Sequence, residues 1–457
     1  MPIARATPDK VQHREVLQGP GRAFRGRLRA LAEPEAEVEV SEWQKLPSKL
    51  QLQFYELADG EAEKQAILLK ELEEKLDELR SYLESLFKPV PDEDWGELRI
   101  AVVDGSSSPA PDTRMLGRYA VYCAGYHVYK GRELVDEGDF KSGVVFRPNE
   151  EPGRVSSAVV RLLMALSERE LALSCLEEQG VDYVMLDGSF FGFIRDCLTL
   201  RRNEVHVKGF GSSEELVNAV LEATAKLVKS DRAFGIVKRV RLRAIDGWSL
   251  CQHADEIEQA PDHTSALARM EGIMTGAIDK AILSMLMPTG AWFSYTDLLA
   301  GEPIWAFHYY SVLTIWYPFW VRSHGEVLEL SKALEQSRRN RMRGFREAFK
   351  DEGIIKLITD HLGRHYFKAF DEAPACCLEA PRELKLEPVL SYCAGFANKD
   401  TGHPFPLDLM DDDATLPRLF TREFVQEVEA RLLDRAVDLE AVRRLFTYLN
   451  PQKKWRA

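Results

Sequence analysis

The sequence predicts a mixed α/β fold, a β-β-β-α-β-α-β sheet with a helical N-terminal extension and a helical, aromatic-rich insertion. Two observations carry this. Short β-branched and aromatic runs alternate with long amphipathic stretches, and three strand patterns precede the first helix of the alternation. Such an order joins an antiparallel region to parallel strands through right-handed crossovers. The chain has 457 residues, 45% hydrophobic and 29% charged, enough for one large domain with insertions or two to three ordinary ones.

Residues 1–60 read as an appended region in which a basic run, RAFRGRLRA, precedes an acidic one, EPEAEVEVSE. Residues 61–95 hold a long amphipathic helix: Leu69, Leu72, Leu76, Leu79, Leu83 and Leu86 recur at spacings of three and four, and Pro89 and Pro91 close it. This seam packs either on its own domain or, as a coiled coil, on a second copy or a partner. Residues 96–302 carry the core of the sheet. LRIAVVDG, RYAVYCAGYHVYKG and RELVDEGDFKSG are the first three strands, followed by the helix SSAVVRLLMALSERELALSCLEEQG, which ends on Gly180. VDYVMLDG is the fourth strand, SSEELVNAVLEATAKLVKS a capped helix and AFGIVKRVRLRAI the fifth strand. Residues 303–362 form the insertion, WAFHYYSVLTIWYPFW followed by SRRNRMRGFREAFK, and residues 363–457 complete the domain.

A net charge of −13 argues against adhesion to nucleic acid over the whole surface, though a local basic groove is compatible with it. No apolar run reaches the roughly 20 residues of a membrane helix, and the N-terminus lacks the apolar core of a secretory signal, so a cytoplasmic protein is expected. Seven Cys, an odd number without CxxC pairs, read as reduced thiols. GFGSS has no Lys and is no phosphate loop; His308, His361 and His365 lack metal-ligand spacing and read as ordinary core or surface histidines.

Two strands end on Asp-Gly-Ser, at Asp104 and Asp187. One such triplet is ordinarily a turn, with Asp bonding its own backbone and Gly at positive φ. Two at matching strand ends, separated by a helix with Glu168 and Glu170, suggest a constellation. The element order is the one used by ribonuclease H-like nucleases, in which the first and fourth strands are neighbours and their terminal carboxylates face one metal site. Phosphodiester cleavage needs an activated water and charge stabilisation at the leaving oxygen, which two Mg²⁺ or Mn²⁺ ions held by carboxylates supply. Ala165, Glu168, Ala172 and Cys175 share one helical stripe and Leu163, Leu166, Glu170 and Leu173 another. Small neighbours favour Glu168 for close approach to the sheet; Glu170 is the alternative.

With these motifs in hand, the chain resembles the NurA nucleases, DNA-end-processing enzymes that work with the HerA hexameric translocase. The likeness rests on IAVVDGSSS, YVMLDGSFF with the preceding Glu168, FGIVKRVR, AIDKAILSMLMPTGAW, HYFKAFDEAPACCLEAP and GHPFPLDLMDDDA, in order. It implies a ribonuclease H-like core, Mn²⁺- or Mg²⁺-dependent cleavage of DNA with 5′ to 3′ polarity, and a homodimer docking on a hexameric ATPase in DNA end resection or anti-phage defence. Asp104, Glu168 and Asp187 match the family's acidic metal ligands and Lys238 its basic residue. Where the family motif ends in a metal-binding His this chain has Asp411, with Asp412 as the alternative, or simply an acidic helix segment. Aromatics beside the basic helix of the insertion suggest contact with a single strand through Arg338, Arg339, Arg341 and Arg343. A noncatalytic adaptor of a translocase complex is the competing reading, and RNA a competing substrate.

Overall fold

The computed structural model describes residues 42–108, 111–435 and 438–450. The run RAFRGRLRA lies outside them. The chain divides into two units, Met1–Glu71 and Leu72–Ala457, so the segments expected at 96–302, 303–362 and 363–457 all fall in the second. In the first unit, Trp43 stacks on Tyr55 with ring centroids 5.1 Å apart.

The long helix is Ser48–Leu83, beginning well before the expected residue 61. Nothing in SKLQLQFYELADG stops it: Gly60, in open space, costs about 1 kcal/mol relative to Ala without ending a helix. In the second unit Leu76, Leu79 and Leu83 are buried in the main core, so this end of the seam packs on its own unit.

The sheet has eleven strands: β1 (Lys88–Pro89), β2 (Arg99–Ser107), β3 (Asp112–Thr113), β4 (Arg118–Lys130), β5 (Glu133–Asp136), β6 (Phe140–Arg147), β7 (Tyr183–Asp187), β8 (Ala233–Ile236), β9 (Ala291–Ser294), β10 (Leu362–Lys368) and β11 (Cys376–Pro381). Their order is β1-β9-β10-β11-β8-β7-β2-β4-β3, with β5 and β6 also on β4. β2, β7 and β8 are parallel to one another; the other pairings are antiparallel. The expected mixed sheet is therefore present, with the first strand beside the one ending in Asp187.

Two expectations need correction. The third strand is two, β5 and β6, both paired with β4. Between them Gly138 adopts φ +62° and its N–H donates to Asp136 Oδ1 at 2.9 Å, a turn that a continuous strand cannot contain. The fifth strand stops at Ile236, because β11 pairs with β8 only through Gly235 and Ile236. The helix Ile194–Arg202, not foreseen, follows β7.

Side-chain alternation divides the sheet between two cores. Ala101, Val103, Val184 and Leu186 face the helices Gly153–Glu178 and Ser213–Lys229; the latter is capped by Ser212, which accepts from Glu215 N–H. Ile100, Val102, Met185 and Ile236 face the helices Leu386–Gly395 and Phe405–Ala414. In the insertion, the helix Ala306–His324 buries Phe307, Tyr309, Tyr310 and Tyr317. Tyr309 donates to Glu302 Oε2 at 2.7 Å and Tyr317 to the Leu328 carbonyl at 2.6 Å. Most of its aromatic run is thus core, not a surface for stacking bases. No described helix is long and apolar enough to cross a membrane.

Candidate active site

The parallel pairing of β2 and β7 brings Val103 opposite Leu186. The next residue on each strand is Asp104 or Asp187, and alternation puts both carboxylates on the face of Val102 and Met185. On the far side of β7, Asp187 pairs with Ile236, and Lys238, two residues on, returns to that face. The helix Phe405–Ala414 covers it, anchored by Leu407, Met410 and Ala414, and contributes Asp411. Carboxylate oxygens of Asp104, Asp187 and Asp411 all lie within 4.8 Å of one another. Lys238 Nζ donates to Asp411 Oδ2 at 2.8 Å and lies 3.0 Å from Asp187 Oδ2. Asp412 is exposed instead.

Glu168 arrives from the opposite layer. Its helix packs on the face of Ala101 and Val103, and the carboxyl group lies under Gly105, where a Cβ would stand 2.6 Å from Glu168 Oε1. The glycine opens a window between the faces. Glu168 is buried and paired with Arg169, whose guanidinium also donates to the Phe190 carbonyl. It is outside the group of three but lines the same cleft, of about 700 Å³. Glu170, two residues on, is exposed and pairs with Lys141.

These carboxylates are in an unfavourable state without a cation. Burial, then the charges of Asp187 and Glu168, push the Asp104 carboxyl up to about 9. Burial, only partly offset by Arg169, pushes Glu168 up to about 7. Asp187 is raised by burial against the opposing pull of Lys238. Burial disfavours the Lys238 ammonium, but Asp187 and Asp411 outweigh it and raise its pKa. An all-oxygen set of convergent carboxylates fits a hard divalent ion such as Mn²⁺ or Mg²⁺.

Behind the aspartates, Glu379 on β11 accepts from Ser189 Oγ and Phe190 N–H, both at 2.8 Å, and pairs with Arg364 of β10 at 2.7 Å. This buried clamp holds the loop after Asp187. Sequence reasoning missed it, since a pair formed between neighbouring strands leaves no local pattern. It also missed Arg239 and Arg241, which line the cleft beyond Lys238; the alternation of basic residues in KRVRLR was visible. Of the four arginines expected on the basic helix, now Leu330–Phe349, Arg341 alone lines the cleft. Arg338 and Arg339 pair with Glu335, and Arg343 stands 4.0 Å from Glu347 on the exposed side. His308 is half-buried and also lines the cleft, whereas His365 is half-buried elsewhere in β10.

Residues 98–285, which span Asp104, Glu168, Asp187 and Lys238, match the family model of the NurA domain. This stretch of the chain is similar to the NurA domain. The NurA nuclease from Sulfolobus solfataricus is similar in structure, with 12% identity and a TM-score of 0.52 over 86% of this chain and 99% of that one. A NurA structure bound to dAMP and manganese aligns at 15% identity, covering 86% of this chain and 99% of that one, with a TM-score of 0.39. For Ciona intestinalis endonuclease V with a 24mer DNA the identity is 12%, the TM-score 0.28 and the coverage 80% and 99%. Comparison with curated proteins found no match. The likeness in fold to the Sulfolobus protein takes in most of the chain.

Proposed function

We propose that this chain is a divalent-metal-dependent deoxyribonuclease. The observation that carries the reading is the convergence of carboxylate oxygens of Asp104, Asp187 and Asp411 within 4.8 Å in a cleft of about 700 Å³. Asp104, Asp187 and Asp411 would hold Mn²⁺ or Mg²⁺, with Glu168 as a further carboxylate reached through the Gly105 window. Two such ions supply an activated water and charge stabilisation at the leaving 3′ oxygen. Lys238 opposes the upward shift of Asp187, pairs with Asp411 and offers a point charge to a substrate phosphate. The Glu379–Arg364 pair holds the Asp187 loop rigid.

The likeness to the NurA domain supports the finer reading: 5′ to 3′ exonuclease or single-strand endonuclease action, in the cytoplasm, as a homodimer with a HerA-type hexameric translocase, in DNA end resection or anti-phage defence. The appended N-terminal region and the seam helix are the segments we assign to assembly. A second reading, a noncatalytic adaptor, is favoured by two observations: Lys238 is already ion-paired with Asp187 and Asp411, and Asp411 stands where the family motif has His.

End-labelled single-stranded DNA and RNA of one sequence, incubated with Mn²⁺ and with wild type or Asp104→Ala protein, test both readings. Cleavage of DNA by the wild type alone is expected. No cleavage by either protein, with the translocase present or absent, sinks the nuclease reading and leaves the adaptor; faster cleavage of RNA overturns the choice of substrate.

A further inference from the structure

The helix Leu330–Phe349 is amphipathic, and its buried stripe runs through Leu330, Ala333, Ser337, Phe345, Ala348 and Phe349. Arg341 sits on that stripe, one turn before Phe345, at a position where a core-facing helix ordinarily carries an apolar residue. Its guanidinium lies over the Phe345 ring, 4.6 Å from the centroid, and its NH2 group approaches His308 Nδ1 at 3.2 Å. Nε is buried with no hydrogen-bond partner among the described residues. None of the ion pairs among the described residues includes Arg341, whereas its helix neighbours Arg338, Arg339 and Arg346 are each matched by a glutamate. His308 gives no compensation, because burial and then the charge of Arg341 hold the imidazole neutral, well below its usual range. Arg364 is satisfied by Glu379 and repels Arg341. Burial and that repulsion bring Arg341 down to about 10, so it remains charged at neutral pH.

A half-buried charge without a counter-ion is costly to fold, which makes it informative when it lines a cleft. Arg341 opens on the same cleft as the three aspartates. So do Arg239 and Arg241, exposed on the segment that leaves β8 and, among the described residues, in no ion pair. Phe307 and Phe345, which line this part of the cleft, are 1% and 2% exposed, so they support Arg341 rather than offering a face for a base. The volume, about 700 Å³, is that of a small-ligand site.

We propose that Arg341, with Arg239 and Arg241, forms a phosphate subsite that grips the backbone of a single-stranded nucleic acid next to the carboxylate cluster without reading its bases. This rests on the nuclease reading for its substrate, but the binding it describes is independent of cleavage. The anion supplies the counter-charge that Arg341 lacks, and a planar fork of donors suits a phosphate better than an ammonium does.

The test is fluorescence anisotropy of labelled oligothymidylate, single-stranded or annealed to its complement, with Ca²⁺ replacing Mn²⁺ and salt varied. Arg341→Gln is expected to weaken single-strand binding about tenfold and to flatten the dependence of log K on log salt by about one. Arg239→Gln combined with Arg241→Gln should do the same, while Arg338→Gln and Arg343→Gln stay within about twofold. Removing an unmatched half-buried charge should also leave the metal-free melting temperature unchanged or raised, which a structural role would not. Wild-type affinity in folded Arg341→Gln overturns the proposal, as does an equal loss in Arg338→Gln or tighter binding of the duplex. If Arg341→Gln does not fold, the exposed pair decides, and its unchanged binding is equally fatal. A 5′-phosphorylated strand binding better than its 5′-hydroxyl form assigns the subsite to a terminal phosphate, and equal binding to internal phosphodiesters. Oligonucleotide binding by a wild type that cleaves nothing in Mn²⁺ overturns the nuclease reading alone.

Discussion

The two Asp-Gly-Ser strand ends are identical in sequence and built for different reasons. Gly105 continues β2 opposite Ala124 of β4 and is required for space: a Cβ would meet Glu168 Oε1 at 2.6 Å and the Cys123 carbonyl at 3.0 Å. Gly188 has φ +100° and nothing within 4 Å of its absent Cβ, so it is required for conformation, turning the chain off β7. The serines differ too. Ser106 Oγ accepts from Leu416 N–H at 3.1 Å, and Ser189 Oγ donates to Glu379 at 2.8 Å. One triplet is therefore a passage between two layers of the molecule and the other a turn, and only their aspartates share a task.

The comparison breaks most sharply at Asp104. Asp104→Asn is expected to lower Mn²⁺-dependent cleavage of labelled DNA by about 10³-fold or more. The same substitution should raise the melting temperature of the metal-free protein by several degrees at pH 8. The folded carboxyls of Asp104 and Glu168 titrate near 9 and 7, well above their unfolded values. The folded state therefore binds more protons than the unfolded one, and stability of the metal-free protein falls as pH rises from about 4 to about 9. Saturating Mn²⁺ should remove most of that fall, and calorimetric melts across pH with and without the ion measure it.

Gly105→Ala comes next. It should displace the Glu168 carboxyl and reduce cleavage about 10²-fold, with a stability loss of about 1–3 kcal/mol from overpacking, read by denaturant titration. Gly188→Ala should cost about 1–2 kcal/mol of backbone strain and less activity, since no side chain has to move. Equal activity losses at the two glycines would erase the distinction drawn between them. Smallest of all, Glu170→Gln should leave cleavage unchanged and alter stability by less than about 0.5 kcal/mol, because its pair with Lys141 is at the surface. A large loss of cleavage there would instead exchange its role with that of Glu168.

Much of this could be read in the chain itself. The strands ending on Asp104 and Asp187, the helix between them and the capped helix from Ser213 follow from local periodicity and turn chemistry, which neighbouring residues supply. Small residues around Glu168 indicated which face of its helix approaches the sheet, and the geometry follows that face. What stayed hidden depends on contacts distant in sequence. The division of one expected strand into β5 and β6 is decided by how both pair with β4, and the Glu379–Arg364 clamp by a pairing of β10 with β11. The basic helix looked uniform, yet burial on its apolar stripe separates Arg341 from Arg338, Arg339 and Arg343. That stripe was present in the sequence, and following it would have isolated Arg341.

Lys238 and Asp411, which meet at 2.8 Å, are separated by 173 positions in the chain, and Asp411 belongs to a helix added after nearly all of the sheet. A polypeptide still emerging from the ribosome, or one cut short, has Asp104 and Asp187 but not the third carboxylate. In the proposed nuclease, the capacity to cut would therefore wait for the helix that carries Asp411.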